Sequence, residues 1–295
     1  MRCEVFKLKG EVLISRLLKY DNIKEIVERD IKWALENKRK LREEKYPKEP
    51  LTTALEIIIT RSYWRTWPWN RIKEKLKEKD FIVNGEVLVG YEDLDTVLKI
   101  VNEIYRKTEK RFWKETYNSL ANFKSALEKA KSLRKWIKEL YKLVNEEAGW
   151  KSHEYFKGIK GLGFKGVNLL LRDMGFFDMV PIDIHERRFL LRTGIALCYG
   201  SPSGDPASLG YYIEALRSFC KECLEDFKLK DLFKNITEVP REYETLSKAP
   251  GIVDWIIWYF ACEREVEECK NICSSKPKCS LCPIRDLCLY SSLKL

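Results

Sequence analysis

Four cysteines crowd the end of this 295-residue chain, Cys273, Cys279, Cys282 and Cys288, spaced C-x5-C-x2-C-x5-C within CSSKPKCSLCPIRDLCLY. Four thiolates within so short a segment can close around a cubane iron–sulfur cluster or a tetrahedral zinc, and soft sulfur ligands suit both. The spacing therefore predicts that the terminus folds as a compact loop around a metal centre rather than as a regular element. Cys269 is a rival first ligand, because it also precedes Cys279 on a short approach. Cys220 and Cys223 form a CxxC inside an apparent helix and read as buried thiols or an incidental disulfide rather than a second metal site. Cys3, Cys198 and Cys262 are isolated and are expected in the core or on the surface.

Helical periodicity dominates the rest. Apolar residues recur at three- and four-residue intervals over 12–18, 23–41 and 94–105, and the segment 112–144 reads as two more helices. Later helices are expected over 208–227 and 253–268. Only 81–89, with Asn84–Gly85 at its centre, reads as a short hairpin. Breaks are expected at 46–50, 67–70 and 200–206, the last with a Gly-Ser-Pro-Ser-Gly-Asp-Pro composition. Hydrophobic residues make up 45% of the chain, enough to bury a substantial core in one large or two medium domains. The fold class expected is mainly α.

Apolar runs are too short to span a bilayer, and Lys7, Lys9, Glu11, Arg16 and Lys19 interrupt the start where a signal peptide would lie. A chain without membrane association, in the reducing cytoplasm, is expected, which also favours metal ligation for its ten cysteines. The net charge of +10 is unevenly placed: residues 106–142 carry twelve Lys/Arg against four Glu, with Phe112, Trp113 and Trp136 interleaved. A basic strip of this kind fits nucleic acid better than a small acidic substrate, with a solvated helix face as the alternative.

The segment 158–188, GIKGLGFKGVNLLLRDMGFFDMVPIDIHERR, carries the candidate chemistry. Gly161 and Gly163 precede an expected helix start, where backbone N–H groups and the helix dipole favour an anion such as phosphate. Lys165 stands just beyond them, in positive potential that favours the neutral amine, the form that attacks carbon. Asp183 follows eighteen positions later, two residues after Pro181, and is also a candidate N-cap for the helix beginning near His185.

With the hairpin and the cysteine run together, the chain resembles the helix-hairpin-helix (HhH-GPD) DNA glycosylases, specifically the endonuclease III class. That family's hairpin has the form Leu-Pro-Gly-x-Gly-x-Lys followed by Val-Asp-Thr-His. Here Ile159-Lys160-Gly161-Leu162-Gly163-Phe164-Lys165 and Ile182-Asp183-Ile184-His185 occupy the matching places. The family's iron–sulfur loop is spaced C-x6-C-x2-C-x5-C, often with Lys-Pro before the second cysteine. Lys276-Pro277-Lys278-Cys279 and the two later intervals match, and the first interval is one residue short. The wording GLGFKGVNLLLRDMGFFD also resembles archaeal 8-oxoguanine glycosylases of the second type, which are shorter and lack the cysteine loop.

The resemblance implies a two-lobed helical DNA-glycosylase fold with a helix-hairpin-helix motif and a C-terminal [4Fe-4S] loop held by Cys273, Cys279, Cys282 and Cys288. Residues 1–49 would form a helical segment packing on the C-terminal lobe. Residues 50–149 would form a helical barrel-like domain, and 150–295 the hairpin and cluster lobe. It further implies a monomeric base-excision-repair enzyme of a prokaryotic cytoplasm, nucleoid-associated, bacterial or archaeal, acting on double-stranded DNA that contains a damaged base. Lys165 would attack the sugar and form a Schiff base, with Asp183 assisting, so that the enzyme is both glycosylase and AP lyase on 8-oxoguanine or an oxidised pyrimidine. Lys160, Gly161, Leu162 and Gly163 would hold the DNA backbone. Arg61, Ser62, Tyr63 and Trp64, at a helix-to-loop junction, would supply the wedge that fills the space left by the flipped base or contact the estranged base, with packing of this Trp- and Tyr-rich cluster between domains as the alternative. The alternatives are a monofunctional glycosylase for thymine or uracil opposite guanine, and a non-enzymatic DNA-binding iron–sulfur protein.

Overall fold

The computed structural model describes residues 2–61, 67–146, 159, 162–201, 203–263 and 268–293. They are mainly helical, with one two-stranded antiparallel sheet among the described residues. The chain divides into two compact units, one made of Met1–Trp33 with Phe176–Leu295, the other of Ala34–Gly175.

The continuous unit holds α3 (Lys48–Arg61), α4 (Trp67–Lys77), α5 (Leu94–Thr108), α6 (Arg111–Ala130), α7 (Leu133–Glu146) and α8 (Phe164–Asp173). In α6 the buried residues Phe112, Trp113, Thr116, Leu120, Phe123 and Leu127 recur every three or four positions, which turns one stripe inward. Trp136 of α7 meets Phe123 edge-on at 4.9 Å between ring centroids. Helix α3 packs on α4, α6 and α8, and α7 packs on α6 and α8. The expected hairpin is present, pairing Ile82–Val83 with Glu86–Val87. Asn84 and Gly85 both take positive φ (50° and 84°), as a tight two-residue turn requires. Val89 N–H donates to Thr52 Oγ1 at 2.8 Å, tying the hairpin's return to α3.

The split unit is built on α13 (Pro250–Ala261), which is apolar on nearly every side and buried along most of its length. Helices α1 (Arg2–Leu18), α9 (Ile184–Thr193) and α11 (Leu209–Cys223) pack on it, and the unit also holds α10 (Ile195–Tyr199), α12 (Leu229–Leu232) and α14 (Leu289–Leu293). Helix α1 approaches α11 closely at Gly10, where a Cβ would stand 2.8 Å from Cys223 Cβ. Any larger residue there would push the two helices apart.

Three sequence expectations change. The units divide at 33/34 and 175/176, whereas boundaries were expected at 49/50 and 149/150. The reason lies in α2 (Ile23–Glu43), which has no Gly or Pro to interrupt it, and in α8, which packs on α3 and α7. The expected break at 67–70 is instead the start of α4, because Pro68 sits in the first helical turn, where its missing N–H costs nothing. The helix expected over 253–268 ends at Ala261. A disulfide joins Cys262 to Cys269 with Cα atoms 5.5 Å apart. Residues seven apart in a continuous helix would be about 10.5 Å apart.

Candidate nucleic-acid interface and cysteine loop

Lys165 lies in the continuous unit, in the first turn of α8. Before it, Leu162 N–H donates to Ile159 O at 3.1 Å, and both side chains are buried, which anchors the entry to the helix. Gly163 is the N-cap, in extended backbone (φ −65°, ψ 178°), with no side-chain cap and no acidic residue in the first turn. Among the described residues a Cβ at Gly163 would meet nothing within 4 Å, so they leave open space at the head of α8. The glycine is not forced by its φ; what it contributes is the absence of a side chain. A helix N-terminus left this way presents donors and positive potential to whatever approaches. Lys165 is half-buried beside it. The far end of α8 is fixed by Asn37 Nδ2, which donates to Asp173 O at 3.1 Å, and by Lys38 Nζ, which donates to Gly175 O at 3.2 Å.

Asp183 lies in the split unit, delivered by the segment 176–182. That segment is held by Gly251 N–H to Phe177 O (2.7 Å), Arg217 Nη2 to Asp178 O (3.0 Å) and Tyr243 Oη to Asp178 Oδ1 (2.7 Å). Phe177 packs edge-on against Tyr243 and Trp255. Asp183 is buried and is the N-cap of α9: its Oδ1 accepts from His185 N–H at 2.7 Å. Glu186 reciprocates, its Oε2 accepting from Asp183 N–H at 2.8 Å. The capping role expected for Asp183 is thus present, and the capping box fixes the carboxylate's orientation.

The cysteine loop follows in the same unit. Cys269 is bound to Cys262, so the free thiols of the run are Cys273, Cys279, Cys282 and Cys288. Cys262, expected to be isolated, is thereby corrected to a disulfide partner. Cys220 and Cys223 form no disulfide and are buried in α11, as expected, with Cys223 Sγ 2.9 Å from Tyr199 Oη. Among the described residues no three His, Cys, Asp or Glu donors are gathered so as to hold a metal ion, so the fit of the loop to a cluster rests on its donor set. Burial pushes Cys282 up to about 11, and the neighbouring Cys273, Cys288 and Cys279 add to it. Burial raises Cys273 as well, opposed by the Arg192 guanidinium. Four cysteines at these spacings, free of disulfides, are the donor set an iron–sulfur cluster takes up, with thiolate charge neutralised by iron.

The loop is held from outside by residues that sequence reasoning missed. Arg192, in the last turn of α9, donates to Cys273 O (3.1 Å) and Ser274 O (2.5 Å) and stacks over Tyr290 at 5.1 Å. Cys288 Sγ in turn donates to Arg192 O at 3.2 Å. Arg16 of α1 donates to Pro283 O (3.1 Å) and Asp286 Oδ1 (2.5 Å). Glu263 accepts from Arg188 and from Ser275 N–H. Burial works to raise the Glu263 carboxyl, but these partners hold it below the usual range. No local motif marks Arg16, Arg188 or Arg192; each acts through a partner 75 or more residues away.

Other expected site residues fare differently. Tyr63, Trp64, Ser62, Lys160 and Gly161 lie outside the described residues. Arg61 ends α3. Leu162, expected among the DNA contacts, is fully buried, so its side chain serves the core. Phe112, Trp113 and Trp136, read as aromatics interleaved in a nucleic-acid strip, are likewise core, because the helical stripe that holds them faces inward.

A mainly helical chain ending in a four-cysteine loop, with a glycine-opened helix carrying Lys165 and a capped Asp183, defines a class, and comparison with known proteins agrees. The iron–sulfur binding domain of endonuclease III matches residues 274–288. The chain is also similar to the 8-oxoguanine DNA glycosylase/AP lyase of Saccharolobus solfataricus (strain ATCC 35092 / DSM 1617 / JCM 11322 / P2), 28% identical over 123 residues. That alignment covers 42% of this chain and 48% of the relative, so the chain spans about half the length of the curated relative it matches. No solved structure matches. The chain is thus similar to endonuclease III over its cysteine loop and to a DNA glycosylase/AP lyase over 123 residues. No described helix is long and apolar enough to cross a membrane.

Proposed function

We propose that this protein is a bifunctional DNA glycosylase/AP lyase that removes an oxidised base from duplex DNA. The observation that carries the reading is the head of α8: a helix start without a side-chain cap, with space at Gly163 left open by the described residues and Lys165 in the first turn. Backbone phosphate fits the uncapped N–H groups, and the lysine amine is then next to the sugar. The neutral Nζ attacks C1′, the bond from C1′ to the base breaks, and the base leaves with a proton. The amine sheds its own proton, and opening of the sugar ring gives the imine. Loss of a C2′ proton then expels the 3′ phosphate and nicks the strand; hydrolysis of the imine returns Lys165.

Asp183 serves this chemistry as a buried carboxylate of fixed orientation, accepting the amine proton or facing the cationic sugar. The role requires it to share one sugar with Lys165. A base reached this way must first leave the stack, with residues 61–64 supplying the wedge. For the substrate, the activity named for the Saccharolobus solfataricus relative and the hairpin wording both favour 8-oxoguanine over an oxidised pyrimidine. Cys273, Cys279, Cys282 and Cys288 would hold a [4Fe-4S] cluster, which cross-links the loop; Lys276, Lys278 and Arg285, all on that loop, would then face the DNA backbone.

The test is borohydride reduction with duplexes bearing a panel of lesions. A covalent adduct lost in Lys165→Gln and kept in Lys160→Gln supports the reading. Base release without an adduct would make the enzyme monofunctional, and no release from any lesion would leave a DNA-binding protein.

A further inference from the structure

Helix α7 carries its charge on one side. Its inward residues Leu133, Trp136, Ile137 and Leu140 are buried, while Arg134, Lys135, Lys138 and Lys142 are exposed. Lys131, just before the helix, is exposed too, and Glu139 is the one exposed carboxylate within 131–142. Among the described residues Lys131, Arg134, Lys135 and Lys138 make no ion pair, unlike Arg111 and Lys124 of α6, which pair with Glu115 and Asp95. The charges also oppose the helix's own field: Arg134 and Lys135 fall in the first turn, which has no acidic residue, and the last turn has no basic one. Stability would favour the reverse arrangement. Cations placed against the dipole and left without partners are explained by an external anion.

The chemistry of the face identifies the anion. The tryptophans of the strip point inward, so the face offers no stacking platform for unpaired bases. What remains is a row of separate positive charges, Lys131 to Lys138, spread over about 10 Å of chain at helical rise. The phosphates of one strand of a duplex, unlike a small anion, present charge over that length. Helix α7 also packs on α8, whose first turn carries Lys165.

We infer that the outer face of α7, through Lys131, Arg134, Lys135 and Lys138, is a second docking surface for the phosphate backbone of double-stranded DNA. It is separate from the hairpin and the cysteine loop and indifferent to sequence and to lesion. The inference deepens the proposed function, but its test does not depend on catalysis. The full-length protein and the triple variant Arg134→Gln/Lys135→Gln/Lys138→Gln are titrated by fluorescence anisotropy with an undamaged duplex, a lesion-bearing duplex and a single strand of equal length, across a range of salt. Each lost phosphate contact lowers the slope of log affinity against log salt by about 0.9, so the variant is expected to lose about 2 to 3 from the slope. Its affinity for both duplexes should fall equally, by about tenfold or more near 0.1 M salt. Circular dichroism and the melting temperature should match the parent, since all three side chains are exposed. An unchanged slope and affinity, or a loss confined to the single strand, overturns the proposal. Failure of the parent to form any borohydride adduct would refute the glycosylase reading while leaving this binding result to stand alone.

Discussion

Asp183 is given two roles, and its variants can separate them. As N-cap it accepts one hydrogen bond of 2.7 Å from His185 N–H, and the reciprocal bond from Glu186 depends on the same geometry. Removing an N-cap acceptor costs about 0.5–2 kcal/mol. Burial of the site puts Asp183→Ala near the top of that range, about 2 kcal/mol. For a unit of about 150 residues, 1 kcal/mol moves the melting temperature by about 2–4 °C, so the alanine variant should melt about 4–8 °C lower. Asp183→Asn keeps a side-chain oxygen at the cap and loses only the charge at the helix N-terminus, about 0.3–1 kcal/mol, or about 1–4 °C. Chemistry should rank them differently, because neither variant retains the carboxylate: both should trap to borohydride at least ~100-fold more slowly than the parent. Thermal melts and single-turnover trapping on one lesion duplex measure the two quantities. An asparagine variant that traps at the parent rate would reduce Asp183 to a cap. One as unstable as the alanine variant would refute the hydrogen-bond accounting.

Three further outcomes follow from the same geometry. Gly163→Ala meets no neighbour among the described residues and needs no unusual φ, and alanine's poorer N-cap preference offsets its lower chain entropy, so its stability should stay within about 1 kcal/mol of the parent, yet it should bind duplex DNA more weakly in a titration, because its methyl enters the space left for phosphate. Arg192→Met removes a charged donor from Cys273 O and Ser274 O, a loss of about 2 kcal/mol for a half-exposed guanidinium. Chelator should then bleach the cluster's absorbance near ~400 nm faster than in the parent, and an equal rate would show that Arg192 does not brace the loop. Glu263 has its carboxyl held below the ordinary value of 4.5, so the stability it adds is present above that pH and is lost as pH falls through the lowered value. Denaturation midpoints of parent and Glu263→Gln should therefore differ at neutral pH and converge in acid.

What the sequence made legible was whatever is encoded locally. The Asn84–Gly85 turn, the two helices of 112–144, the start of α8 at Gly163 and the cap at Asp183 all depend on residues near each other in sequence, and each appears where the pattern put it. Long-range matters were not legible. Whether Trp113 faced solvent or core depended on which stripe of α6 met α5 and α7, and charge count alone could not decide that. The end of α13 was hidden because Val253 to Glu268 keeps helical composition, and only the pairing of Cys262 with Cys269 shows why the helix stops. The arginines that clamp the cysteine loop were invisible for the same reason: nothing near Arg16 or Arg192 in sequence refers to residues 273–286.

The central claim is that the Lys165 amine is the nucleophile. Borohydride reduction on an 8-oxoguanine duplex, followed by nuclease and protease digestion and mass spectrometry, places the sugar remnant on one peptide. The account predicts a single modified lysine, Lys165, in the peptide that begins α8. A remnant on Lys160 or another lysine, or released base with no modified peptide at all, would contradict it.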